Sequence, residues 1–599
     1  MSKEDNMAHK RHSLAHLLAA TVLELYPNAK PTIGPAIDGG FYYDFDDLKI
    51  SDADLPKIEE RMREILKKWE MVKRVDADAD EAKKIYAGNP YKLELIGELL
   101  KTNEKITLYY SGSQSDFPSA PSPLFIIHNS SFVDLCKGGH IEKPNRDIKS
   151  GSWKLDKTAG AYWRGDEKNK MLTRIYGLAF ESEKQLKEYE TKMEESKKRD
   201  HKKLGVELDL FTFSPLVGAG LPLWTPKGTL LRDLLDSFVW ELRQKAGYEK
   251  VDIPHITKKD LYEKSGHWSK FGDELFRIKT REEHEFVIKP MNCPHHTQIY
   301  ARRGWSYRDM PQRYASTTKV YRDEQTGELT GLARVRSITQ DDAHVFCRQN
   351  QIKEETKKIW DIVLAFYQSF DFKLKPRLSL HDPKNISAYL GTEEIWRKAE
   401  EELRAIVKEK GMEADEAVGE AAFYGPKVDF MAEDSLGREW QVATFQLDMN
   451  MPERFDLTFI NESGEKERAV MIHTAIMGSI ERFLAILIEH FAGAFPTWLS
   501  PVQVKILPIA DKQKKTAEKI AEALKEAGIR AELDDSKETL GKKVRAAKLE
   551  KVPYFVVIGE KEEASGTITV EGRKGKIGEM NPEEFFKKIK EEVATKKSA

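Results

Sequence analysis

The sequence predicts an α+β protein of several domains, and three observations carry that prediction. From about residue 206 to 499, aromatic, charged and β-branched segments alternate as in an antiparallel sheet with packed helices. Beyond the Pro-marked stretch "FAGAFPTWLSPVQVKILPIA", strand-like and helix-like segments take turns, the pattern of an α/β unit with a mostly parallel sheet. The 599 residues are also too many for one hydrophobic core, so three or four domains are expected.

Residues 1–180 mix short helices with β-like runs such as "KITLYYSGS" and "SPLFIIHNSSFVDL". Residues 181–205, within "ESEKQLKEYETKMEESKKRDHKKLGVELDLF", carry charge almost all round, with opposite signs at helical spacing, and read as a solvated connecting helix. "FTFSPLVGAGLPLWTPKG" opens the central region, 206–499, with Pro/Gly turns and no helical period. Residues 500–599 alternate "QVKILPIA", "AEKIAEALKEAG", "IRAELDD", "LGKKVRAAKLEKV" and "PYFVVIGE", and are rich in lysine.

The 97 basic and 99 acidic residues nearly cancel, for a formal charge of −2, so any contact with nucleic acid is local. Three cysteines, Cys136, Cys293 and Cys347, are too few for a disulfide framework and fit a reducing compartment. No apolar run is long enough to span a bilayer and none at the start resembles a signal peptide, so a cytoplasmic protein without a membrane partner is expected.

Four central stretches carry reactive groups. They are "KPMNCPHH", "VYRDEQTGELTGLARVRSITQDDAHVF", "FYGPKVDF" with "EWQVATFQLDMN", and "VMIHTAIMGSIERFLAIL". Cys293, His344 and His473 have the ligand types zinc accepts and would leave a fourth position open, but no two have finger spacing. A buried cysteine and two hydrogen-bonded histidines is the ordinary reading of the same residues. "RDEQTGELTGLARVR" reads as two short strands around a Gly-containing turn with an arginine on each, an arrangement that suits phosphate. No GxxxxGK[ST] occurs, so the site is not of the Walker type. Near the start, His12 and His16 in "RHSLAHLLAA" share a helix face, and "VDLCKGGHIEK" offers Cys136 and His140 at the same spacing. By residue type alone these four make a closed Cys/His₃ zinc site, a reactive pocket, or a polar helix edge.

Together these blocks resemble the threonyl family of class II aminoacyl-tRNA synthetases, in order and over nearly the whole chain. "KGTLLRDLLDSFVWELRQKAGYEKVDIP", ending at Pro254, resembles motif 1, "VYRDE…RVRSITQDDAH" motif 2 and "GSIERF" motif 3, while "MNCP", "FYGPK", "QLD" and "VMIH" are family-specific. The resemblance implies zinc, one per chain, on Cys293, His344 and His473. It implies magnesium with ATP, Arg322 on the α-phosphate, Arg334 on the distal phosphates and Arg482 on adenine, with Lys427 beside these catalytic groups. It places Gln340, Asp342, Tyr424, Gln446, Glu324 and Met291 around threonine and the adenylate. A metal that must bind the substrate hydroxyl rejects valine, but serine differs by one methyl, worth only about 1–3 kcal/mol, so a second sieve is needed. The resemblance supplies one, because "HSLAH", "DLCKGGH" and "AGAYWRGDEKNKMLTRIYG" match the editing domain of bacterial-type members, where His12, His16, Asp134, Cys136 and His140 would line a metal-free pocket that hydrolyses seryl-tRNA.

The implied domains are editing (1–180), a charged linker helix (181–205), class II catalytic (206–499) and anticodon-binding (500–599), the last with Glu560 and Arg573 as base-reading candidates. The implied partners are tRNA(Thr), ATP, threonine and a second copy of the chain. Five departures stand out: only eleven residues precede His12, so the small ubiquitin-like domain usual before it is expected to be missing; Gly139 replaces a common proline; His295 replaces a usual glycine; Ile338 replaces a usual aromatic; and "YASTTKV", before Arg322, differs from the commoner pattern. A non-catalytic paralogue is the alternative, which loss of motif arginines or metal ligands would favour; none is lost. A zinc hydrolase lacks its HExxH helix here.

Overall fold

The computed structural model describes residues 3–113, 115, 117, 127–128 and 131–596; positions 122–126 and 129–130 of the "SPLFIIHNSSFVDL" run lie outside the described residues. Two compact units form, Met1–Glu194 and Glu195–Ala599.

In the first unit the helix Lys3–Leu25 is apolar on nearly every side from Leu14 to Leu23, and all of those residues are buried. A helix without a polar face belongs in an interior. Of its two buried hydroxyls, Thr21 Oγ1 donates to the Leu17 carbonyl at 2.8 Å and Ser13 Oγ accepts the Ile141 N–H at 3.1 Å. Around it lie a five-stranded sheet, in which Gly40–Asp46 pairs antiparallel with Met171–Ala179 and that strand with Trp153–Tyr162, and a four-stranded sheet centred on Thr107–Gly112 and Ser131–Leu135. Cys136 and His140 follow the last strand in a loop, where Gly138 and Gly139 have φ of 110° and 87°. Proline is held near −65°, so its replacement by Gly139 accompanies a backbone that proline cannot adopt.

The charged connecting stretch is two helices rather than one. Glu183–Arg199 buries only Leu186, and after Asp200, whose carboxylate accepts the Lys202 N–H at 2.8 Å, a second helix runs His201–Glu207.

The second unit is built on an eight-stranded sheet in the order Glu249–Lys250, Gln312–Tyr321, Ser337–Cys347, Val470–Ser479, Glu439–Asp448, Lys427–Glu433, Lys373–Leu380, Asp415–Val418. The inner pairs are antiparallel and the two edge pairs parallel. The helices Ile352–Gln368 and Ile480–His490 bury Trp360, Phe366, Phe483 and Leu487 in one core with Val345, Phe445 and Ile472 from the sheet. The helix Pro226–Lys245 starts on a Thr225 cap, whose hydroxyl accepts the Gly228 N–H at 3.2 Å.

Two expectations are corrected. The first strand of "RDEQTGELTGLARVR" ends at Tyr321 and the next begins at Ser337, so Arg322 and Arg334 sit in a loop with a short 3₁₀ turn at Thr326–Glu328. Polar side chains with two glycines and two threonines, Thr326, Gly327, Thr330 and Gly331, outweigh strand propensity there. The C-terminal sheet is half parallel: Val504–Pro508 pairs parallel with Ala531–Leu533 and Tyr554–Ile558, but Ile568–Gly572 and Gly575–Met580 add antiparallel. Their connections, 559–567 and 573–574, are too short for the crossover that parallel strands require.

Candidate active sites

Alternation along one strand organises the central site. Gln340, Asp342 and His344 lie on the same face of Ser337–Cys347, while Asp341 points the other way. Asp341 accepts the N–H groups of Ile476, Met477 and Gly478 at 2.9, 3.1 and 2.9 Å, which holds the irregularity where Gln340 pairs with Ser479 but Asp342 with Ala475. Buried Arg243, from Pro226–Lys245, donates to the Asp341 carbonyl at 3.1 Å and lies 3.5 Å from its carboxylate.

His344 and His473 are register partners on neighbouring strands, and Cys293 opens the helix Cys293–Tyr300 beside them. All three are buried, and their ligand atoms lie within 4.8 Å of one another. His473 Nε2 is 2.9 Å from Asp448 Oδ2, and Asp448 Oδ1 accepts the N–H groups of Asn450 and Met451. His344 Nδ1 lies 2.7 Å from His296 Nδ1, whose Nε2 is 3.1 Å from Ser316 Oγ. The donor set fits zinc: one thiol and two imidazoles converge, and each imidazole is oriented through its other nitrogen. Burial pushes the Cys293 thiol well above and the His344 imidazole well below their ordinary values; a dication at this point would reverse the thiol's preference.

Around the cluster, Tyr424 stacks on His473 at 4.9 Å between centroids and donates to Gln446 Oε1 at 2.6 Å. Gln446 is paired in register with both Lys427 and His473. Lys427 Nζ is 3.0 Å from Asp429. Asp342 receives the Asn292 amide at 3.1 Å, and burial raises its carboxyl to about 6. Met291 Sδ lies 3.6 Å from Cys293 Sγ.

A cavity of about 670 Å³ adjoins this face, walled by Arg322, Glu324, Arg334, Ile338, Gln340 and Arg482 among others. Arg322 Nε and Gln340 Oε1 are buried without a hydrogen-bond partner in the protein, which leaves both able to meet a ligand. Burial alone lowers the Arg482 guanidinium, with no carboxylate offsetting it. Arg334 is held by Glu324 at 2.7 Å and Glu328 at 3.2 Å. Two like-charged, poorly compensated arginines in a cavity of this size suit a polyanion with an aromatic part. Ile338 leaves one wall aliphatic, but Trp440 lines the same cavity, its ring centroid 5.8 Å from the Arg482 guanidinium carbon.

In the first unit His12, His16, Cys136 and His140 do converge, with ligand atoms within 4.8 Å of one another. Cys136 Sγ lies 3.5 Å from His12 Nε2 and 3.3 Å from His140 Nε2. His16 Nε2 faces Asp134 at 3.6 Å, and its Nδ1 is buried without a partner. Asp134 is also paired with buried Lys92 at 2.5 Å and receives the Tyr43 hydroxyl at 2.5 Å. Burial lowers His12, His16 and His140 and raises the Cys136 thiol to about 12. An open cavity of about 390 Å³ reaches Cys136 past Leu99 and Thr107.

Sequence reasoning missed several of these groups. Lys92, inside "PYKLELIGEL", carries no local signal. His267 lies 3.8 Å from Cys293 Sγ through Nε2, with Ser265 Oγ 2.7 Å from Nδ1, and burial lowers it to about 3. Lys289 is buried, within 3.0 Å of Thr318 Oγ1, and lowered to about 8 by burial. His295, singled out in the sequence only as a departure, is buried, with neither ring nitrogen partnered, and lowered to about 4 by burial. Trp440 and Asp448 stood inside quoted blocks without being singled out. In the C-terminal region, Arg573 spends its donors on the carbonyls of Lys551, Ala494 and Phe495, which makes it a brace rather than a reader of bases, whereas Glu560 is exposed and paired with Lys512.

Two family models match the chain: the tRNA synthetase class II core domain (G, H, P, S and T) over residues 276–491, and an anticodon binding domain over 503–592. The chain is 48% identical to the threonine–tRNA ligase of Flavobacterium johnsoniae, across 97% of this chain and 88% of that protein. It is 45% identical to that of Rubrobacter xylanophilus, across 98% and 89%. Among solved structures it is similar to the RNA binding domain of threonyl-tRNA synthetase from Cryptosporidium parvum, with a TM-score of 0.63, 36% identity, and coverage of 65% of this chain and 98% of that one. A prolyl-tRNA synthetase from Giardia lamblia, 18% identical with a TM-score of 0.53 over 67% of this chain and 80% of that one, shares the fold.

Proposed function

The chain belongs to the threonine–tRNA ligases, which it matches over nearly its whole length, and on that premise we propose how its side chains ligate threonine to tRNA. The threonine carboxylate attacks the α-phosphorus of ATP and pyrophosphate leaves. A ribose hydroxyl of the tRNA's terminal adenosine then attacks the threonyl-adenylate carbonyl and releases AMP. Neither step calls for a protein nucleophile; orientation and charge stabilisation suffice. Arg322 would face the α-phosphate, Arg334, held by Glu324, the distal phosphates, and Arg482 the adenine. Cys293, His344 and His473 would hold the zinc, which when bound offers a Lewis-acid position to the amino and hydroxyl groups of threonine. Asp342 beside the amino group, Tyr424, Gln446, Lys427, Gln340 and Met291 shape the remaining pocket.

One observation carries this reading. The single strand Ser337–Cys347 presents Gln340 to the arginine-walled cavity and His344 to the Cys/His/His cluster on the same face. Threonine-dependent ATP–pyrophosphate exchange tests it, with strong exchange expected for threonine and none for valine. No exchange with threonine would overturn the assignment.

The other regions take their roles from the same premise. Residues 1–180 form the editing domain, where His12, His16, Asp134, Cys136 and His140, with Lys92 beneath, enclose a water that hydrolyses seryl-tRNA. Residues 181–205 connect it to the catalytic domain, 206–499, and residues 500–599 hold the anticodon loop with Glu560 at the reading edge. Exposed Leu216, Val217 and Leu223, ahead of the motif 1 helix, support a homodimer. No helix among the described residues is long and apolar enough to cross a membrane, which accords with a cytoplasmic enzyme.

A further inference from the structure

One buried cluster outside these sites joins elements that carry the arginines. His201, the first residue of His201–Glu207, is only 4% exposed. Its Nδ1 lies 2.6 Å from Glu489 Oε1, and its Nε2 accepts the Leu332 backbone N–H at 3.1 Å. These contacts fix the tautomer: an amide can only donate, so Nε2 is bare, and the proton sits on Nδ1, donated to Glu489. Asp200, His201 and Glu489 have the chemistry of metal ligands and lie close together. Both imidazole nitrogens are already engaged, however, and no lone pair is left for an ion.

The two partners sit on elements that supply different walls of the 670 Å³ cavity, though neither lines it itself. Leu332 is at the tip of the loop 322–336, which carries Arg322 and Arg334. Glu489 is in the last turn of Ile480–His490, whose first turn carries Arg482. Glu489 also pairs with Arg438 at 2.7 Å, Arg438 with Asp434 at 2.6 Å, and Asp434 accepts the Trp440 indole N–H at 2.9 Å. The line of contacts thus runs from the loop tip to the aromatic ring next to Arg482. Gly331 has φ of +50°, and a Cβ there would come within 2.3 Å of His201 Nε2, so the loop is shaped around the imidazole.

We propose that His201 is a positioning residue for ATP: it pins the tip of the 322–336 loop against the helix bearing Arg482 and so sets the spacing of the arginines across the cavity. The proposal rests on the ligase reading. The test compares His201→Ala, which loses both contacts, with His201→Gln, which retains a donor and an acceptor, and His201→Asn, which retains both on too short a side chain. In pyrophosphate exchange, His201→Ala and His201→Asn should raise KM for ATP about tenfold or more, with a smaller change in kcat and in KM for threonine, because a misplaced clamp loses orientation rather than fold. His201→Gln should recover most of the loss. Hydrogen exchange gives a readout free of activity: the Leu332 amide should exchange faster in the Ala and Asn variants, while the amides of Ile476, Met477 and Gly478 stay protected. An unchanged KM for ATP in His201→Ala, or an equal fall in kcat across all three variants with general loss of amide protection, overturns the proposal. If the parent protein shows no threonine-dependent exchange, the ligase reading fails first, and Leu332 protection still decides whether His201 pins the loop.

Discussion

His344 Nε2 and His473 Nδ1 face each other at 3.0 Å across two register-paired strands. Asp448 accepts from His473 Nε2, so a neutral His473 presents a bare Nδ1 to His344. His344 answers with a proton on Nε2 or, if its Nδ1 donates to His296, with a second lone pair. Two lone pairs at that distance repel unless a cation lies between them. A zinc ion held by Cys293, His344 and His473 would therefore favour the tautomer in which His344 donates to His296 and His296 to Ser316.

In that arrangement Asp448 would orient the ligand His473 without being a ligand itself. Asp448→Asn should weaken zinc affinity roughly 10- to 100-fold, measured by chelator competition. Cys293→Ser should lose zinc and, with it, threonine activation. A zinc-free protein that still activates threonine and rejects valine would contradict both.

Arg322 enters the cavity with a buried, unpartnered Nε. Arg322→Ala should lower the rate of adenylate formation roughly 100- to 1,000-fold, the range typical for losing a preorganised group that stabilises developing charge. Melting temperature should change little, since no ion pair is lost. Parental pyrophosphate exchange in this variant would displace the residue from the α-phosphate.

Much of this site was legible because its residues come in short blocks whose alternation can be read. "TQDDAH" gives Gln340, Asp342 and His344 one face, and the ligands were reachable through family motifs. What "DD" does not tell is that the two aspartates do opposite work, Asp342 receiving the Asn292 amide beside His344 and Asp341 holding three amides on the other side. Lys92, His201 and His267 were not legible at all. Each is a lone polar residue whose partners are distant in sequence, and burial, not local pattern, makes it matter. Arg573 shows the converse: a basic residue in a nucleic-acid-binding region looks like a reader until its donors are found on carbonyls.

Cys136 sits at the mouth of a cavity, but burial raises its thiol to about 12. At neutral pH it is a thiol, and the thiolate is the nucleophile. Iodoacetamide should therefore label Cys136 slowly in the native protein at pH 7.5, and Cys136→Ser should retain deacylation of seryl-tRNA within about tenfold, since a hydroxyl keeps a donor and acceptor in place. Rapid labelling together with abolished deacylation would instead identify a covalent intermediate.

The three imidazoles around that thiol also define a pH dependence. Burial lowers His12, His16 and His140 below the ordinary imidazole value of about 6.5, with repulsion from neighbouring rings of the cluster adding to it at His16 and His140. All three are therefore neutral at pH 7, where a neutral imidazole can accept the proton of a hydrolytic water. Deacylation should stay flat through pH 6.5, where an unperturbed histidine would titrate, and fall only in more acidic solution. Stability follows the same groups. Their folded pKa values are depressed, so their contribution is complete above about pH 6.5 and is lost as pH falls through the lowered values, because the unfolded chain takes up protons first. The first unit should accordingly lose protection against proteolysis as pH drops below about 6. In His12→Ala/His16→Ala the acid sensitivity should diminish, threonine charging should survive, and seryl-tRNA should persist. If the double variant clears seryl-tRNA at the parental rate, the pocket is not the editing site. If it instead sheds a second zinc ion and the first unit unfolds, the four residues are a structural metal centre, because convergent Cys and His donors within 4.8 Å suit that role as well.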